Sequence, residues 1–279
     1  MPKLFEILTR EELAPKTIMF NIFAPTVARA IQGGQFIILR VSANGERIPI
    51  SISGWNRNEG SIRIIIMAAG RTSAEAIMLK VGDCFQDIVG PLGKRSHVEE
   101  LDGTAVLIGG GYGTGAIIPT ARDLKALGNK VIGIVGARNK DLLLLQDEMN
   151  EVCDEVIPTT NDGSMGIEGF VTHGLAKVIE REKVSYVLAV GPVPMMKAVS
   201  EMTRPNGIQT WVSLNAIMVD GTGMCGACRC TVGGKTQFAC FHGPDFNGHE
   251  VNFEELQARQ KMFQVQEKIA LEQLNEVLV

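Results

Sequence analysis

The sequence has no long apolar run, no dense basic run and no leader pattern. No apolar stretch approaches the roughly 20 residues that a helix needs to cross a bilayer. The first residues, MPKLFEILTR, lack the order of basic, apolar and small residues that marks a signal peptide. Lys and Arg number 27 against 31 Asp and Glu, which gives a formal net charge of −4. We therefore expect a cytoplasmic protein with no membrane and no nucleic-acid partner.

Internal repeats and low-complexity segments are also absent, and the composition is that of an ordinary globular protein. Hydrophobic residues make up 45% and charged residues 21% of the 279 residues. These values exclude wholesale disorder, collagen-like repeats and a coiled coil. At about 150 residues per domain, the length predicts roughly two domains, large enough to bury a core without metal or disulfide staples.

Residues 1–98 are predicted to form an all-β domain, an antiparallel sandwich or small barrel. Strand-length runs rich in Ile, Val and Phe cover residues 17–23, 35–41, 48–53 and 61–67. Gly-Gly, Asn-Gly and Glu-Gly turn signals separate them. Residues 74–79 are the only helix candidate in this segment.

From about residue 102, buried-strand runs alternate with helical patterns. Strands are predicted at 104–108, 130–135, 155–158 and 186–190, and helices at 117–127 and 194–203. This alternation predicts βαβ units with a parallel sheet over residues 99–213, and ligands are then expected at the carboxyl ends of the strands.

The remainder divides into a segment rich in glycine and cysteine and a helical tail. Residues 214–250 are predicted to be loop-forming, whereas residues 251–279 show helical periodicity and strong helix formers. The tail helix either packs on its own chain or contacts a partner subunit.

Four of the six cysteines are crowded between residues 225 and 240. In a reducing compartment such crowding indicates metal ligation or redox chemistry before disulfides. The interval from Asp220 to Cys225 is x4 and from Cys225 to Cys228 is x2, which fits the C-x4-C-x2-C…C spacing of plant-type [2Fe–2S] proteins with an aspartate at the first position. The spacing predicts Asp220, Cys225, Cys228 and Cys240 as ligands. Cys230 as the fourth ligand, a structural zinc site and free thiols remain as alternatives.

Two segments of the N-terminal domain have the character of a flavin site. The first is Arg47-Ile-Pro-Ile-Ser51, where an arginine beside a strand can hold a pyrophosphate while backbone groups contact the flavin ring. The second is Gly70-Arg-Thr-Ser73, which precedes the short helix and offers free N–H groups to phosphate. Arg47 alone is equally typical of a surface charge.

A glycine-rich turn, Gly109-Gly-Gly-Tyr-Gly-Thr-Gly115, follows the strand at 104–108 and opens a helix, as a dinucleotide-binding loop requires. The glycine spacing is not that of G-x-G-x-x-G, and Arg138 lies near the position where an acidic residue is expected. The turn is therefore either a nucleotide loop or a tight strand–helix connection. Gly191 ends a second strand at the same edge, and the choice between NAD and NADP stays open.

The order of these motifs resembles the ferredoxin–NADP reductase superfamily with an appended [2Fe–2S] module. The resemblance covers nearly the whole chain. It extends to the electron-transfer subunit of dihydroorotate dehydrogenase and to the small subunit of the electron-bifurcating NADH-dependent reduced ferredoxin:NADP oxidoreductase. Asp220 in place of a cysteine, and the run Gly243-Pro-Asp-Phe-Asn-Gly-His249, resemble the second of these. The departures are Ala216 and the run Tyr112–Ala116.

The resemblance implies hydride exchange between NAD(H) and FAD and single-electron transfer through the [2Fe–2S] cluster. The partner it implies is a large subunit that carries FAD, [4Fe–4S] clusters and the NADPH site, and that connects to ferredoxin. No acid–base catalytic residue is implied. The residues implied for FAD are Arg47, Pro49, Ile50, Ser51, Met67, Gly70, Arg71, Thr72 and Ser73. Those implied for the nicotinamide nucleotide are Gly110, Gly111, Gly113, Thr114, Arg138 and Gly191.

Two other functions remain open at this point. One is an electron-transfer subunit that serves dihydroorotate or another acceptor. The other, of a different class, is a zinc-stabilised nucleotide-binding assembly subunit without a redox role. Bound iron and flavin would distinguish both electron-transfer functions from the zinc-stabilised assembly function.

Overall fold

A computed structural model describes residues 2–278, and its N-terminal part is an antiparallel sheet of six strands in the order β1-β2-β5-β4-β3-β6. The all-β prediction is confirmed. The elements are β1 (Ile7–Ala14), β2 (Thr17–Phe23), α1 (Pro25–Ala30), β3 (Phe36–Arg40), β4 (Arg47–Asn56), β5 (Ser61–Met67), α2 (Arg71–Met78) and β6 (Asp87–Leu92).

Three elements of this sheet domain are absent from the sequence prediction. Strand β1 is buried only near its ends and carries a charged, exposed middle, as an edge strand does, so it shows no alternation. Strand β6 contains Gly90 and Pro91, which interrupt its apolar pattern. The prediction of a single helix is wrong because α1, only six residues long, starts with Pro25 at its first turn and is too short to show a period.

The second sheet has seven strands in the order β10-β9-β8-β7-β11-β12-β15, parallel except for β15. This confirms the predicted α/β part of the fold. Its elements are β7 (Thr104–Gly110), α3 (Gly113–Ala126), β8 (Val131–Ala137), α4 (Gln146–Val152), β9 (Glu155–Thr160), β10 (Ile167–Glu168), α5 (Val171–Arg181), β11 (Val184–Val190), α6 (Val193–Thr203) and β12 (Gln209–Ser213).

The cysteine-rich segment is more ordered than its composition predicts. It contains a hairpin of β13 (Arg229–Val232) and β14 (Lys235–Phe238), a short helix α7 (Ala239–His242) and β15 (Asp245–Asn247). Strand β15 pairs antiparallel with β12, Ser213 lying opposite Asp245. The segment is therefore built into the edge of the nucleotide-domain sheet.

Two helices end the chain, α8 (Phe253–Gln260) and α9 (Gln264–Leu278). Helix α8 packs on α6 and β13, and α9 returns to the N-terminal domain, where it packs on α2. Phe263, just before α9, and Val265 and Ile269 on α9 remain exposed. The tail thus packs on its own chain and still presents apolar side chains to solvent.

One buried hydrophobic cluster extends through both sheets and the cysteine-rich segment. Phe36 and Ile38 of the first sheet belong to the same buried cluster as Val106 of the second and as Cys228 and Cys240. This continuity holds the three parts of the site against one another. No helix within residues 2–278 is both long and apolar enough to cross a membrane.

Candidate functional site

A cleft runs between the two sheets and collects predicted residues from both. Pro49, Ile50 and Ser51 of β4 form one wall, and Gly113 and Gly191 form the opposite wall at the carboxyl ends of β7 and β11. Parallel strands of an open sheet bind ligands at this edge. The structure therefore brings part of the predicted flavin set and part of the predicted nicotinamide set to one place.

The other predicted flavin residues lie outside the lining of this cleft. Arg47 is exposed at the start of β4, and Met67 is exposed at the end of β5. Arg71 forms an ion pair with Glu75 at 2.9 Å, one helical turn further on. The Arg47 guanidinium is thus accessible to a ligand, whereas that of Arg71 is already partnered.

The start of α2 keeps open backbone beside Gly70. A methyl group at Gly70 would meet no atom within 4 Å, so a ligand can approach the chain there. The hydroxyl of Ser73 accepts hydrogen bonds from the N–H groups of Ala69 and Gly70 at 2.9 and 3.0 Å, and it caps the helix. Thr72 is buried, with its hydroxyl 3.5 Å from Glu46. The first-turn N–H groups, which have no intrahelical acceptor, are the donors left for a phosphate.

The glycine-rich turn after β7 is tightly packed at one end and open at the other. A methyl group at Gly113 would lie 2.2 Å from the carbonyl oxygen of Val190, so only glycine fits beside β11. Gly111 has a φ of +57°, and a methyl group there would meet nothing within 4 Å. The turn therefore combines close strand–helix packing with exposed backbone, which a nucleotide loop requires.

The remaining predicted nicotinamide residues differ in their accessibility. Thr114 is fully buried, and its hydroxyl has no hydrogen-bond partner among the residues that the structure describes. Arg138 is exposed after the end of β8, and Gly110 approaches Met195 and Pro192 at the base of the neighbouring turn. Arg138 is the predicted residue best able to meet a charged group of a nucleotide from solvent.

Several cleft residues were missed by the sequence analysis. The cleft is lined by Ser213 at the end of β12 and by Asn215 and Met218 just after that strand. It is also lined by Tyr112 of the glycine-rich turn. Desolvation raises the pKa of Tyr112 above its usual value, and a side-chain hydrogen bond with Asn215 opposes that shift. Nothing local marks Ser213 or Asn215, because their place depends on the pairing of β12 with β11.

The predicted cluster loop closes on the carboxylate of Asp220. Its Oδ1 accepts a hydrogen bond from the N–H of Thr222 at 2.7 Å, and its Oδ2 accepts one from the N–H of Cys225 at 2.8 Å. These hydrogen bonds, the Thr222 amide first, lower the pKa of Asp220. Asp220 therefore stays ionised at neutral pH and lies next to Cys225.

Two of the predicted thiols are adjacent. The Sγ atoms of Cys228 and Cys240 lie 3.2 Å apart, and both residues are buried and free. Burial, followed by the neighbouring Cys228, raises the pKa of Cys240 to about 12. A thiolate at this position therefore needs a cation beside it, as a bound metal supplies.

Cys225 and Cys230 are placed differently from this pair. Cys225 is exposed, in the same loop as Asp220. Cys230 is buried, and its thiol donates to the Gln237 carbonyl across the β13–β14 hairpin at 3.7 Å. Over residues 2–278, no group of three or more His, Cys, Asp or Glu side chains is already assembled as a metal site. The donor types fit an iron–sulfur cluster, and one thiol pair is in position.

The cluster loop lies directly on the strands of the first sheet. Gly221 has a φ of +76°, and a methyl group there would lie 2.7 Å from both Ile38 of β3 and Leu92 of β6. Met218, just before the loop, lines the cleft. The predicted cluster ligands and the predicted flavin wall are therefore held by neighbouring segments.

Comparison with known proteins agrees with this geometry. Residues 215–252 match the family model of the iron–sulfur cluster binding domain of dihydroorotate dehydrogenase B. The electron transfer subunit homolog of dihydroorotate dehydrogenase B from Thermotoga maritima is 42% identical over 96% of this chain and 94% of its own length. A dihydroorotate dehydrogenase B electron transfer subunit from Fusobacterium nucleatum is 31% identical over 87% of this chain and 95% of its own length.

Solved structures extend the comparison. A chain from a structure of the NADH-dependent reduced ferredoxin–NADP oxidoreductase is 42% identical, covers 98% of both chains and superposes with a TM-score of 0.92. Phthalate dioxygenase reductase, at 19% identity and a TM-score of 0.58, shares the fold. These matches confirm the predicted cofactor set of FAD, NAD(H) and a [2Fe–2S] cluster at the level of the family. The chain belongs to the family of oxidoreductase electron-transfer subunits that includes those of dihydroorotate dehydrogenase B and of the NADH-dependent reduced ferredoxin–NADP oxidoreductase.

Proposed function

We propose that this chain is the small subunit of an electron-bifurcating NADH-dependent reduced ferredoxin:NADP oxidoreductase. In this role it exchanges hydride between NAD(H) and FAD and passes single electrons through a [2Fe–2S] cluster to or from a large subunit. The observation that carries the proposal is Asp220, which occupies the position in the sequence of the first cysteine of the plant-type spacing and whose carboxylate accepts a hydrogen bond from the N–H of Cys225. The match along 98% of both chains to a chain of that enzyme supports it.

The flavin would lie against β4, with its ring in the cleft beside Pro49, Ile50 and Ser51. Arg47 and the open start of α2 at Gly70 would hold its phosphates, and Met67 would border it from β5. The side chains of Arg71, Thr72 and Ser73 already have partners, namely Glu75, Glu46 and the N–H groups of residues 69 and 70. These three residues would therefore contact the phosphates through their backbone N–H groups. These residues bind and orient the cofactor. FAD supplies the exchange between two-electron and one-electron chemistry.

The nicotinamide nucleotide would enter from the opposite wall. The nucleotide would approach the protein backbone at the turn after β7, at Gly110, Gly111 and Gly113, with Thr114 behind them. It would also approach the backbone after β11, at Gly191. Arg138, exposed after β8, would meet a ribose or phosphate oxygen. This places the two cofactor sets on facing walls, as direct hydride exchange requires.

Cys225, Cys228, Cys240 and Asp220 would ligate the cluster. The Cys228–Cys240 pair supplies two soft donors to one side, and Asp220 would supply a harder oxygen donor. The cluster module would comprise residues 214–250, between the nucleotide domain of residues 99–213 and the tail of residues 251–279, with the flavin domain at residues 1–98. A large subunit with FAD, [4Fe–4S] clusters and the NADPH site would exchange the electrons and link them to ferredoxin.

The proposal is tested on chain purified without oxygen. We expect about one FAD and two irons per chain, with the flavin and cluster absorbance bleached by NADH. Zinc without flavin would contradict it and favour the assembly-subunit alternative. The Cys153→Ser variant, which changes a buried cysteine far from the loop in sequence, is the matched control and should keep both cofactors.

The second candidate is the electron-transfer subunit of a dihydroorotate dehydrogenase. The family model matched over residues 215–252 and the Fusobacterium nucleatum relative favour it. Both candidates predict the same bound cofactors, so the partner decides. Reconstitution with each kind of large subunit, followed by assay with dihydroorotate or with NADPH and ferredoxin, separates them.

A further inference from the structure

A second, smaller cavity adjoins the cleft and reaches the underside of its flavin wall. The two share Ser51, Ala116, Val190 and Ser213. The smaller cavity has a volume of about 10 Å³, about the room that one water molecule needs. Ser96, which follows the first sheet, and Asp245 of β15 also line it. Serine hydroxyls and a carboxyl group give such a water polar partners.

Asp245 is the ionisable residue of this cavity. Its Oδ2 accepts a hydrogen bond from the hydroxyl of Ser96 at 2.5 Å, whereas its Oδ1 is buried without a hydrogen-bond partner in the described part of the chain. The residue as a whole keeps some exposure. Burial raises the pKa of Asp245, and the nearby hydroxyls of Ser96, which is hydrogen-bonded to it, and of Ser213 oppose the shift. Burial, and after it the charge of Asp245, raises the pKa of the neighbouring Tyr186 phenol of β11, which therefore stays protonated.

The proposed function leaves one proton in this region. A hydride from NADH brings two electrons and one proton, and the cluster carries only the electrons away. The ionisable side chains that line the two cavities are Tyr112 and Asp245. The phenol of Tyr112 holds its own proton at neutral pH, since desolvation raises its pKa. Asp245 is therefore the lining side chain able to take up a proton.

We propose that Asp245 is the proton acceptor of the flavin pocket. Through a water in the small cavity and the hydroxyl of Ser51 or Ser213, its Oδ1 takes up the proton that remains when two electrons leave through the cluster. An O–H bond forms at Oδ1, no electron stays with the proton, and the proton then leaves to solvent by way of the water and the cleft. This inference rests on the proposed function. It gives a role to Asp245, whose neighbour Pro244 lines the cleft.

The first test detects the protonated carboxyl directly. Time-resolved infrared difference spectra of the cofactor-loaded chain after mixing with NADH, recorded in H2O and D2O, should show a carboxylic acid C=O band that appears as electrons leave the flavin and that shifts in D2O. The band should be absent from the Asp245→Asn variant. Spectra of wild-type protein without any such band would overturn the inference, even if the variant did not fold.

The second test follows the electrons by anaerobic stopped-flow absorbance. In Asp245→Asn, reduction of the flavin by NADH should keep its rate. Transfer from flavin to cluster should slow by roughly 10²-fold, the lower end of the range for positioned proton transfer, and should lose its solvent isotope effect. Asp123→Asn is the matched control, because burial also raises the pKa of Asp123 but that residue lines neither cavity.

The outcomes distinguish a failure of the proposed function from a failure of the inference about Asp245. If NADH fails to bleach wild-type protein, the proposed function fails. If NADH bleaches all three proteins and Asp245→Asn transfers electrons at the wild-type rate, the inference about Asp245 fails alone. Equal slowing in Asp123→Asn and Asp245→Asn would also overturn it, because that would indicate a general packing effect.

Discussion

At the scale of single residues, the four crowded cysteines are not equivalent. Cys228 and Cys240 are adjacent and buried, whereas Cys230 contacts the Gln237 carbonyl across its hairpin. We predict that Cys228→Ser and Cys240→Ser each lower bound iron severalfold, since each removes a soft ligand. Cys230→Ser should retain about two irons per chain. The measurement is the amount of iron and labile sulfide per chain. If Cys230→Ser also lost the cluster, Cys230 would be the fourth ligand.

Asp220 offers a sharper test of ligand identity. As a proposed oxygen ligand it is a harder donor than thiolate, and the identity of the ligands tunes the potential of an iron–sulfur cluster. We therefore expect Asp220→Cys to keep two irons, to change the EPR signal and to shift the reduction potential. An EPR signal and potential identical to those of the wild type would show that Asp220 is only a loop residue. Asp220→Asn, which can keep a hydrogen bond from the Cys225 N–H, controls for loop structure.

At the scale of elements, glycines at two helix starts have different roles. Gly113 begins α3 against the Val190 carbonyl, and Gly70 precedes α2 beside open space. We predict that Gly113→Ala lowers the free energy of unfolding by about 1–3 kcal/mol, because its methyl group overpacks a buried contact. Gly70→Ala should leave the stability of the cofactor-free chain unchanged, since its φ of −139° suits any residue, and should weaken FAD retention.

Thermal unfolding of cofactor-free protein and fluorescence of released flavin measure the two effects. If Gly70→Ala lowered the melting temperature as much as Gly113→Ala did, the open space beside α2 would have no bearing on ligand binding. If both variants retained FAD like the wild type, the α2 start would not be part of the flavin site.

The elements also show what sequence patterns can predict. Continuous apolar runs predicted the central strands β7, β8 and β11 because both faces of those strands are buried. Edge strand β1 escaped prediction because its middle is charged and exposed. The wall formed by Ser213 and Asn215 and the place of Asp245 escaped for another reason: they depend on long-range pairing of β12 with β11 and β15. The spacing of the cysteines, by contrast, is a local feature that can be recognised in the sequence without knowledge of the fold.

At the scale of the whole molecule, few polar contacts cross between the sheets. Arg63 of β5 donates to Glu148 of α4, a half-buried ion pair that bridges the first sheet and the nucleotide domain. Ser96 and Asp245 add a second link, from the end of the first sheet to β15. Arg63 also donates to the carbonyl of Ser53, which lines the cleft, and Asp245 lines the cavity beside the cleft. We therefore expect changes in domain contact and in cofactor binding to be coupled.

Two apolar surfaces are candidates for the contact with a large subunit. One surrounds the cluster loop, where Met224 is 89% exposed and Phe241 is 60% exposed. The other lies on α9, where Val265 is 69% exposed. Exposed apolar patches of this kind mark protein contacts. The cluster-loop surface is the better candidate, because Cys225, a proposed cluster ligand, is exposed beside it.

We predict that Met224→Lys weakens binding to the large subunit by at least about tenfold, since a buried unpaired charge at an interface costs several kcal/mol. FAD and iron content should stay at wild-type levels, because Met224 is almost fully exposed and contributes little to the core. Val265→Lys is the matched substitution on α9, and we expect it to bind normally. Size-exclusion chromatography and titration calorimetry of the reconstituted pair measure both. If Val265→Lys bound the large subunit more weakly than Met224→Lys, the interface would lie on the tail helix. Electrons would then have to leave the chain by a route that avoids the exposed side of Cys225.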